Sequence, residues 1–119
     1  MFSLTGKIRF YLYTHPTDMR KSFDGLSGLI TNHLLSDPLS GDVYLFINRR
    51  RDRIKLFVWG RDGWWIYYKR LEKGTFQIPL APSSSDSLEL AYEDLLMLLE
   101  GINLEKSKKR VRFGRNILA

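Results

Sequence analysis

The sequence predicts a single α+β domain: a mostly antiparallel sheet of four to six strands, with one helix after the first strand and a second helix near the C-terminus. Three observations lead to this class. The 119 residues are enough for one domain with a core, but few for two. Hydrophobic residues make up 44% of the chain and aromatic residues 13%, which favours a folded protein. Strand-like segments crowd the middle of the chain, and helical spacing lies on either side of them.

The N-terminal third predicts one strand and one helix. Residues 8–13 (IRFYLY) are aromatic and β-branched, as is typical of strands. Beyond them, apolar residues at spacings of four, three and four predict the apolar stripe of a helix, formed by Met19, Phe23, Leu26 and Ile30. Thr17 or Asp18 can cap this helix, which would place Arg20 and Lys21 in its first turn.

The middle of the chain predicts a meander of antiparallel hairpins. Its strands are expected at residues 42–48, 53–60, 64–71 and 75–79. The basic run RRRDR (49–53) joins the first two, and RDG (61–63) supplies a tight turn, since an Asp-Gly pair is favoured where the backbone must reach positive φ. Large apolar residues lie on both faces, so either both faces are covered or one is an aromatic binding surface.

The C-terminal third allows two interpretations. One is a single helix starting from Asp86, with Glu89 completing a capping box. The other, which we favour, is a short strand at 87–90 followed by a helix at 92–100. Residues 105–119 lack periodicity, so residues 1–104 are predicted to form the domain and the rest a mobile basic arm.

The charges are segregated along the chain, whose formal net charge is +6. Residues 1–80 hold 13 Lys/Arg against 7 Asp/Glu, and residues 105–119 hold 6 against 1. Residues 81–104 hold no Lys/Arg and 5 Asp/Glu. A basic face of this kind recruits polyanions, nucleic acid first.

Several function classes are disfavoured by what the sequence lacks. There is no cysteine, which removes disulfides, zinc–thiolate sites and thiol nucleophiles and fits a reducing cytoplasm. The N-terminal residues do not resemble a signal peptide, and no apolar stretch approaches the roughly 20 residues of a membrane helix. We therefore expect a cytoplasmic protein without membrane contact.

Catalysis is not expected either. The aspartates that could hold metal ions lie in cap, turn or loop positions, where Asp has an ordinary structural role: Asp18, Asp24, Asp42, Asp52 and Asp62. His15 and His33 have no ligand spacing, and no phosphate-binding glycine loop is present. The sequence predicts no enzyme, no metal, no cofactor and no small-molecule substrate.

The basic hairpin is the main candidate for nucleic-acid binding. The run 49–53 puts four arginines near one tip, and arginine suits bidentate phosphate contacts. Alternation places aromatic residues between cations, Lys55 with Trp59 on one strand and Lys69 with Trp65 on the next, as in surfaces that track a phosphate backbone and stack bases. The same pattern also fits contact with a partner protein, or an ordinary amphipathic sheet.

Two further segments carry candidate cations. Arg20 and Lys21, at the expected helix start, suit an anion site on free backbone N–H groups, although a surface pair between Arg20 and Asp24 explains them equally well. The arm either binds phosphates nonspecifically or merely keeps the protein soluble. The candidate nucleic-acid-binding residues are Arg20, Lys21, Arg49, Arg50, Arg51, Arg53, Lys55, Trp59, Arg61, Lys69, Arg70, Lys108, Lys109, Arg110 and Arg112.

Two blocks of the sequence are similar to a known family. The first is DMRKSFDGL at 18–26, and the second is the basic hairpin with its continuation to Pro79. The second block contains Lys55, Leu56, Trp59, Gly63, Lys69, Arg70, Leu71, Glu72, Gly74, Phe76 and Pro79. Over residues 2–102 the chain resembles the TnpB-type accessory protein of the IS66 group of bacterial insertion sequences, the product of the second open reading frame.

This resemblance implies a small non-catalytic helper that is encoded beside a larger transposase. We therefore expect an accessory protein for insertion-sequence DNA transposition that acts by binding DNA. The alternative is an adaptor that binds the transposase or another element-encoded protein through its aromatic sheet face or the acidic segment 86–100. A nuclease-like enzyme is the least expected class.

Overall fold

A five-stranded sheet forms the centre of the fold. The computed structural model describes residues 8–79 and 85–100, together with the backbone of residues 102–103 and 108–109. The strands of the sheet are β1 (Phe10–Tyr13), β2 (Val43–Ile47), β3 (Arg53–Gly60), β4 (Gly63–Arg70) and β5 (Ser87–Leu90). Helix α1 (Phe23–Asn32) follows β1, and helix α2 (Tyr92–Glu100) follows β5.

The strands lie in the order β4-β3-β2-β1-β5. Only β1 and β2 run parallel in this sheet, with Phe10 beside Val43, and the other neighbours are antiparallel. Parallel neighbours need a crossover connection, and α1 lies in the one between β1 and β2. The predicted α+β class, with its mostly antiparallel sheet and two helices, is confirmed.

Both faces of the central strands are covered, whereas the edge strand β4 keeps exposed aromatic residues. On one face, Leu26 and Ile30 of α1 pack with Phe46 and Phe57. On the other, α2 and Phe76 pack on residues that include Leu45, Ile54 and Val58. All five residues of β2 are buried, as expected for a central strand between two layers. Burial of each large apolar side chain contributes about 1.5–3 kcal/mol to folding.

The start of α1 differs from the prediction. The helix begins at Phe23, so Arg20 and Lys21 precede it and do not occupy its first turn. Asp18 does not cap the helix, because its carboxylate accepts from the backbone N–H of Arg20 (2.9 Å) and so closes a local turn. The expected Arg20–Asp24 surface pair is replaced by an ion pair between Arg20 and Asp18.

The hairpin between β3 and β4 has a turn of two residues, Arg61 and Asp62, since Gly60 pairs with Gly63. The positive φ that the sequence predicts here lies at Arg61 (67°), not at Gly63. This shortens the expected three-residue turn by one residue. The shift changes which residues of β3 and β4 share a face.

The predicted strand at 75–79 is absent from the sheet. The backbone N–H of Phe76 donates to the Arg51 oxygen (2.7 Å), so this segment bonds to a turn and forms no strand ladder. Phe76 is nevertheless fully buried in the core. For residues 86–100, the favoured strand-then-helix interpretation is correct, and the single helix from Asp86 is wrong.

Beyond α2, the backbone of β6 (Ile102–Asn103) pairs antiparallel with that of β7 (Lys108–Lys109). Two residues of the predicted arm are therefore strand-paired. Arg110, Arg112 and the remainder of the arm lie outside the described residues. Among the residues that are described, neither helix has the length and apolar character needed to cross a membrane.

Candidate nucleic-acid interface

A tight turn between β2 and β3 presents the arginine run, and we call residues 48–53 the arginine turn. The Asn48 side-chain oxygen accepts from the backbone N–H groups of Asp52 (3.0 Å) and Arg53 (2.9 Å). Its amide nitrogen donates to the Asp52 carboxylate at 2.7 Å. The three arginines between Asn48 and Asp52 are exposed. Their backbone is thus fixed while their side chains face solvent.

Residues 71–76 support the arginine turn from one side. The backbone N–H of Leu71 donates to the backbone oxygen of Asp52 at 2.7 Å. The backbone N–H of Phe76 donates to the backbone oxygen of Arg51, also at 2.7 Å. Arg51 has a positive φ of 61°, a conformation that a tight turn requires of one of its residues. Because Phe76 is buried, the turn is connected directly to the core.

The segment 16–20 faces the arginine turn across an open cleft of about 570 Å³. The backbone N–H of Thr17 donates to the Ile47 oxygen (2.9 Å), which holds this segment beside the end of β2. The cleft lining includes four guanidinium groups, those of Arg20, Arg49, Arg50 and Arg53. Two loops that are distant in sequence thus form a single cationic concavity.

Two carboxylates offset part of this charge. Asp18 pairs with Arg20 (2.7 Å), whose hydrogen bonds lower the Asp18 pKa to about 2. The pKa of Asp52 is also lowered, first by the hydrogen bond from Asn48 and then by the nearby charges of Arg50 and Arg53. Both groups are therefore ionised at neutral pH. In the described part of the chain, the side chains of Arg49, Arg50 and Arg53 form no ion pair, so the cleft keeps an excess of positive charge.

Tyr68 and Thr17, which the sequence does not mark as candidates, are among the other residues that line the cleft. Tyr68 is 51% exposed, and the Lys55 ammonium lies 4.8 Å from its ring centroid. Thr17 is 4% exposed, and its hydroxyl has no hydrogen-bond partner among the described residues. A half-exposed aromatic ring is thus added to the guanidinium groups, whereas the Thr17 hydroxyl lies beneath the surface of the cleft.

The cleft continues into a second concavity of about 340 Å³. Arg53 and Tyr68 line both, and Arg70 and Glu72 complete the second. Arg70 pairs with Glu72 at 2.7 Å. Together the two concavities form a groove that runs from the arginine turn along the ends of β3 and β4.

Lys55 has a different role from the predicted one. Its side chain is buried, and its ammonium donates to the backbone oxygens of Met19 (2.7 Å) and Lys21 (2.8 Å). These two carbonyls belong to the segment that precedes α1. Lys55 therefore secures one wall of the cleft from behind and does not face solvent as a phosphate ligand would.

The cations and aromatic residues that were expected to form one surface lie on two different faces of the sheet. Lys55 is paired with Tyr68 and Trp59 with Trp64, so Trp65, Tyr67 and Lys69 lie on the opposite side of the sheet. Phe57, between Lys55 and Trp59, is fully buried under α1. The predicted single surface of alternating cations and aromatics does not exist, because the turn at Arg61 is one residue shorter than expected.

Four further candidates do not line the cleft: Lys21, Trp59, Arg61 and Lys69. Trp59 packs edge-on against Trp64, with ring centroids 5.3 Å apart. Lys69 donates to the Leu99 oxygen (2.7 Å) at the C-terminal end of α2, where a cation offsets the helix dipole. Arg61 lies at the opposite end of the hairpin from Arg53. Lys21 is exposed, and its side chain passes so close to Gly25 that a Cβ there would lie 3.1 Å from it.

Metal ligands do not cluster in the described part of the chain. Across residues 8–79 and 85–100, no three His, Asp or Glu side chains come close enough together to hold an ion. Asp18 and Asp52 are instead occupied by local hydrogen bonds, and His15 pairs with Asp86 at 2.7 Å.

Fold and site together define a small α+β domain that carries an arginine-lined cleft at one end of its sheet. The chain belongs to the IS66 Orf2-like protein family, whose model matches residues 8–109. This confirms the resemblance found in the sequence and extends it to β7. Membership implies an accessory role in insertion-sequence transposition.

Two relatives in Sinorhizobium fredii are similar over most of their lengths. The uncharacterized protein y4jC is 31% identical over 103 residues, covering 87% of this chain and 86% of its own. The uncharacterized protein y4hO is 30% identical over 96 residues, covering 81% and 82%. No solved structure matches the chain.

Proposed function

We propose that the protein is a non-catalytic accessory factor for insertion-sequence transposition and that it binds DNA through the arginine cleft and its groove. The observation that carries this proposal is the convergence of Arg20, Arg49, Arg50 and Arg53 on one concave surface. Guanidinium groups form bidentate hydrogen bonds with phosphate oxygens. Phosphate contacts of this kind position a protein on DNA and release counterions.

The rigidity of the arginine turn supports this proposal. A solubilising loop needs charge but no defined backbone, whereas Asn48, Leu71 and Phe76 all hold this turn in place. A backbone that is already ordered has less conformational freedom to lose on binding. The arginines should therefore bind phosphate more tightly than the same residues would on a flexible loop.

A second candidate function is an adaptor for the transposase, and one observation favours it. Trp65 and Tyr67 stack on each other, with centroids 6.3 Å apart, on the sheet face opposite the cleft. Trp65 is 49% exposed. Exposed aromatic residues of this kind are enriched at protein interfaces.

The direct test of DNA binding is a titration of the purified protein with duplexes from the ends of its own element, across a salt series. If the proposal is correct, the logarithm of the association constant falls linearly with the logarithm of the salt concentration. The slope is about −0.9 for each phosphate contact. The adaptor function expects no such binding. It expects instead co-purification with the element's transposase that is lost on Trp65→Ala.

A further inference from the structure

We infer that the cleft accommodates one unpaired nucleotide, so that the protein prefers DNA with a single-stranded segment over a fully paired duplex. This inference rests on the proposed DNA binding and specifies the state of the strand. Its elements are a concave shape, an aromatic ring among guanidinium groups, and a groove that shares two lining residues with the cleft.

The shape of the site is the first argument. The cleft of about 570 Å³ falls within the range of pockets that enclose small molecules. The phosphates of a paired duplex can contact the arginines at the rim of such a cavity, but the bases are paired and stacked and cannot enter it. A nucleotide that is not paired or stacked within a duplex can rotate its base into the cavity while its phosphate remains at the rim.

The position of Tyr68 is the second argument. Phosphate binding alone does not require an aromatic ring, but bases of single strands stack on such rings whatever their sequence. Tyr68 lies beside Arg53 and is half exposed, although the Lys55 ammonium lies against its ring. The ring is thus anchored and still accessible, with cations near enough to hold the adjoining phosphate.

The groove gives the strand a path onward from the cleft. Arg53 and Tyr68 belong to both concavities, and Arg70 lies in the second. Arg20 is paired with Asp18, and Arg70 with Glu72. Arg49, Arg50 and Arg53, which form no ion pair with a described residue, are the guanidinium groups free to bind phosphate. A nucleotide in the cleft would therefore place its own phosphate at the arginine turn and the next one along β3 and β4.

The experiment compares two fluorescein-labelled probes by anisotropy at one salt concentration. One is a blunt duplex, and the other is the same duplex with a four-nucleotide single-stranded extension. We expect the extended probe to bind about 5- to 150-fold more tightly, the range that one base–aromatic stack produces. Tyr68→Ala should remove this preference, so that the ratio of the two affinities falls to about 1.

Control variants distinguish the loss of base stacking on Tyr68 from misfolding of the protein. Tyr68→Leu retains apolar cover over Lys55 without an aromatic ring, so it should also lose the preference if the ring stacks on a base. Trp65→Ala removes an equally exposed aromatic from the same strand on the other face, and the preference should survive. Circular dichroism and thermal melts check that each variant is folded.

Equal affinity of the wild-type protein for both probes would overturn the inference, as would a preference that survives in folded Tyr68→Leu. In either case, blunt-duplex binding with a normal salt dependence would leave the proposed DNA binding intact. Failure to bind either probe would overturn both.

Discussion

The Lys55 ammonium donates a 2.7 Å hydrogen bond to the backbone oxygen of Met19, 36 residues earlier in the chain. A second bond, to the Lys21 oxygen at 2.8 Å, holds the same segment. Lys55 thus joins the central hairpin to the wall of the cleft that carries Arg20. A lysine that looks like a phosphate ligand in the sequence is a structural cross-link between two parts of the site.

Replacing this lysine should therefore destabilise the fold. Lys55→Met should lower the free energy of unfolding by about 1.5–3 kcal/mol, because a hydrogen bond with a charged partner contributes this much. Urea denaturation measures the loss. Lys69→Met is the matched control, since Lys69 also donates to a backbone oxygen but is exposed, and its loss should cost less than about 1 kcal/mol. Equal losses of unfolding free energy in the two variants would mean that Lys55 does not cross-link the hairpin to the cleft wall.

The arginine turn should depend on Asn48. Asn48→Ala removes the acceptor for two backbone N–H groups and the donor to the Asp52 carboxylate. We expect a loss of about 1–3 kcal/mol in unfolding free energy, from hydrogen bonds that the turn cannot replace. The pKa of Asp52 should also rise toward its ordinary value, which an NMR titration of the carboxyl carbon detects. A pKa that stays low in this variant would assign the shift to the arginines instead.

The pair between Asp18 and Arg20 predicts a specific pH dependence. The pKa of Asp18 in the folded protein is lowered to about 2, below the value of about 3.9 for an unfolded chain. The pair therefore stabilises the fold above about pH 4, and this contribution disappears as the pH falls toward 2. In Arg20→Gln, the Asp18 pKa should rise toward its ordinary value, but not all the way, because the backbone N–H of residue 20 still donates to the carboxylate. An Asp18 pKa that stays at about 2 in that variant would show that the Arg20 side chain does not cause the shift.

No metal-dependent cleavage is expected from the protein alone. A two-metal site needs carboxylates that converge on ions about 4 Å apart, and Asp18 and Asp52 are occupied by local hydrogen bonds instead. Incubation of the pure protein with element-end DNA and magnesium or manganese should yield neither nicks nor strand joining. Cleavage that disappears on Asp18→Asn or Asp52→Asn would favour the nuclease alternative.

The sequence predicts most of the fold because local signals agree with the tertiary structure. Helix α2 follows from its periodicity, β5 from its alternating polar and apolar residues, and the central hairpin from alternation around a tight turn. The start of α1 is different. Its position depends on Lys55, which takes carbonyls that a longer helix would have used, and contacts across such a separation leave no local pattern.

The site was predicted in part. The density of arginines in the sequence identifies the arginine turn, but no pattern in the sequence points to Tyr68. The reason is the turn at Arg61 and Asp62: with three residues in the turn, Lys55 would share a face with Lys69, whereas with two it faces Tyr68. A difference of one residue transfers every side chain of a strand to the other face. The positive φ of Arg61, which decides the turn, is unusual for a residue other than glycine.

The salt dependence of DNA binding in two double variants tests the central claim most directly. Arg49→Ala/Arg50→Ala removes two cations from the cleft, and Arg9→Gln/Arg61→Gly removes two cations from the opposite end of the strands. If the cleft binds DNA, the log–log slope of the first variant should be shallower than that of the wild type by about 1–2 units, at about 0.9 per lost phosphate contact. The second variant should keep the wild-type slope. An unchanged slope in a folded cleft variant, or equal decreases in both, would contradict DNA binding through the cleft.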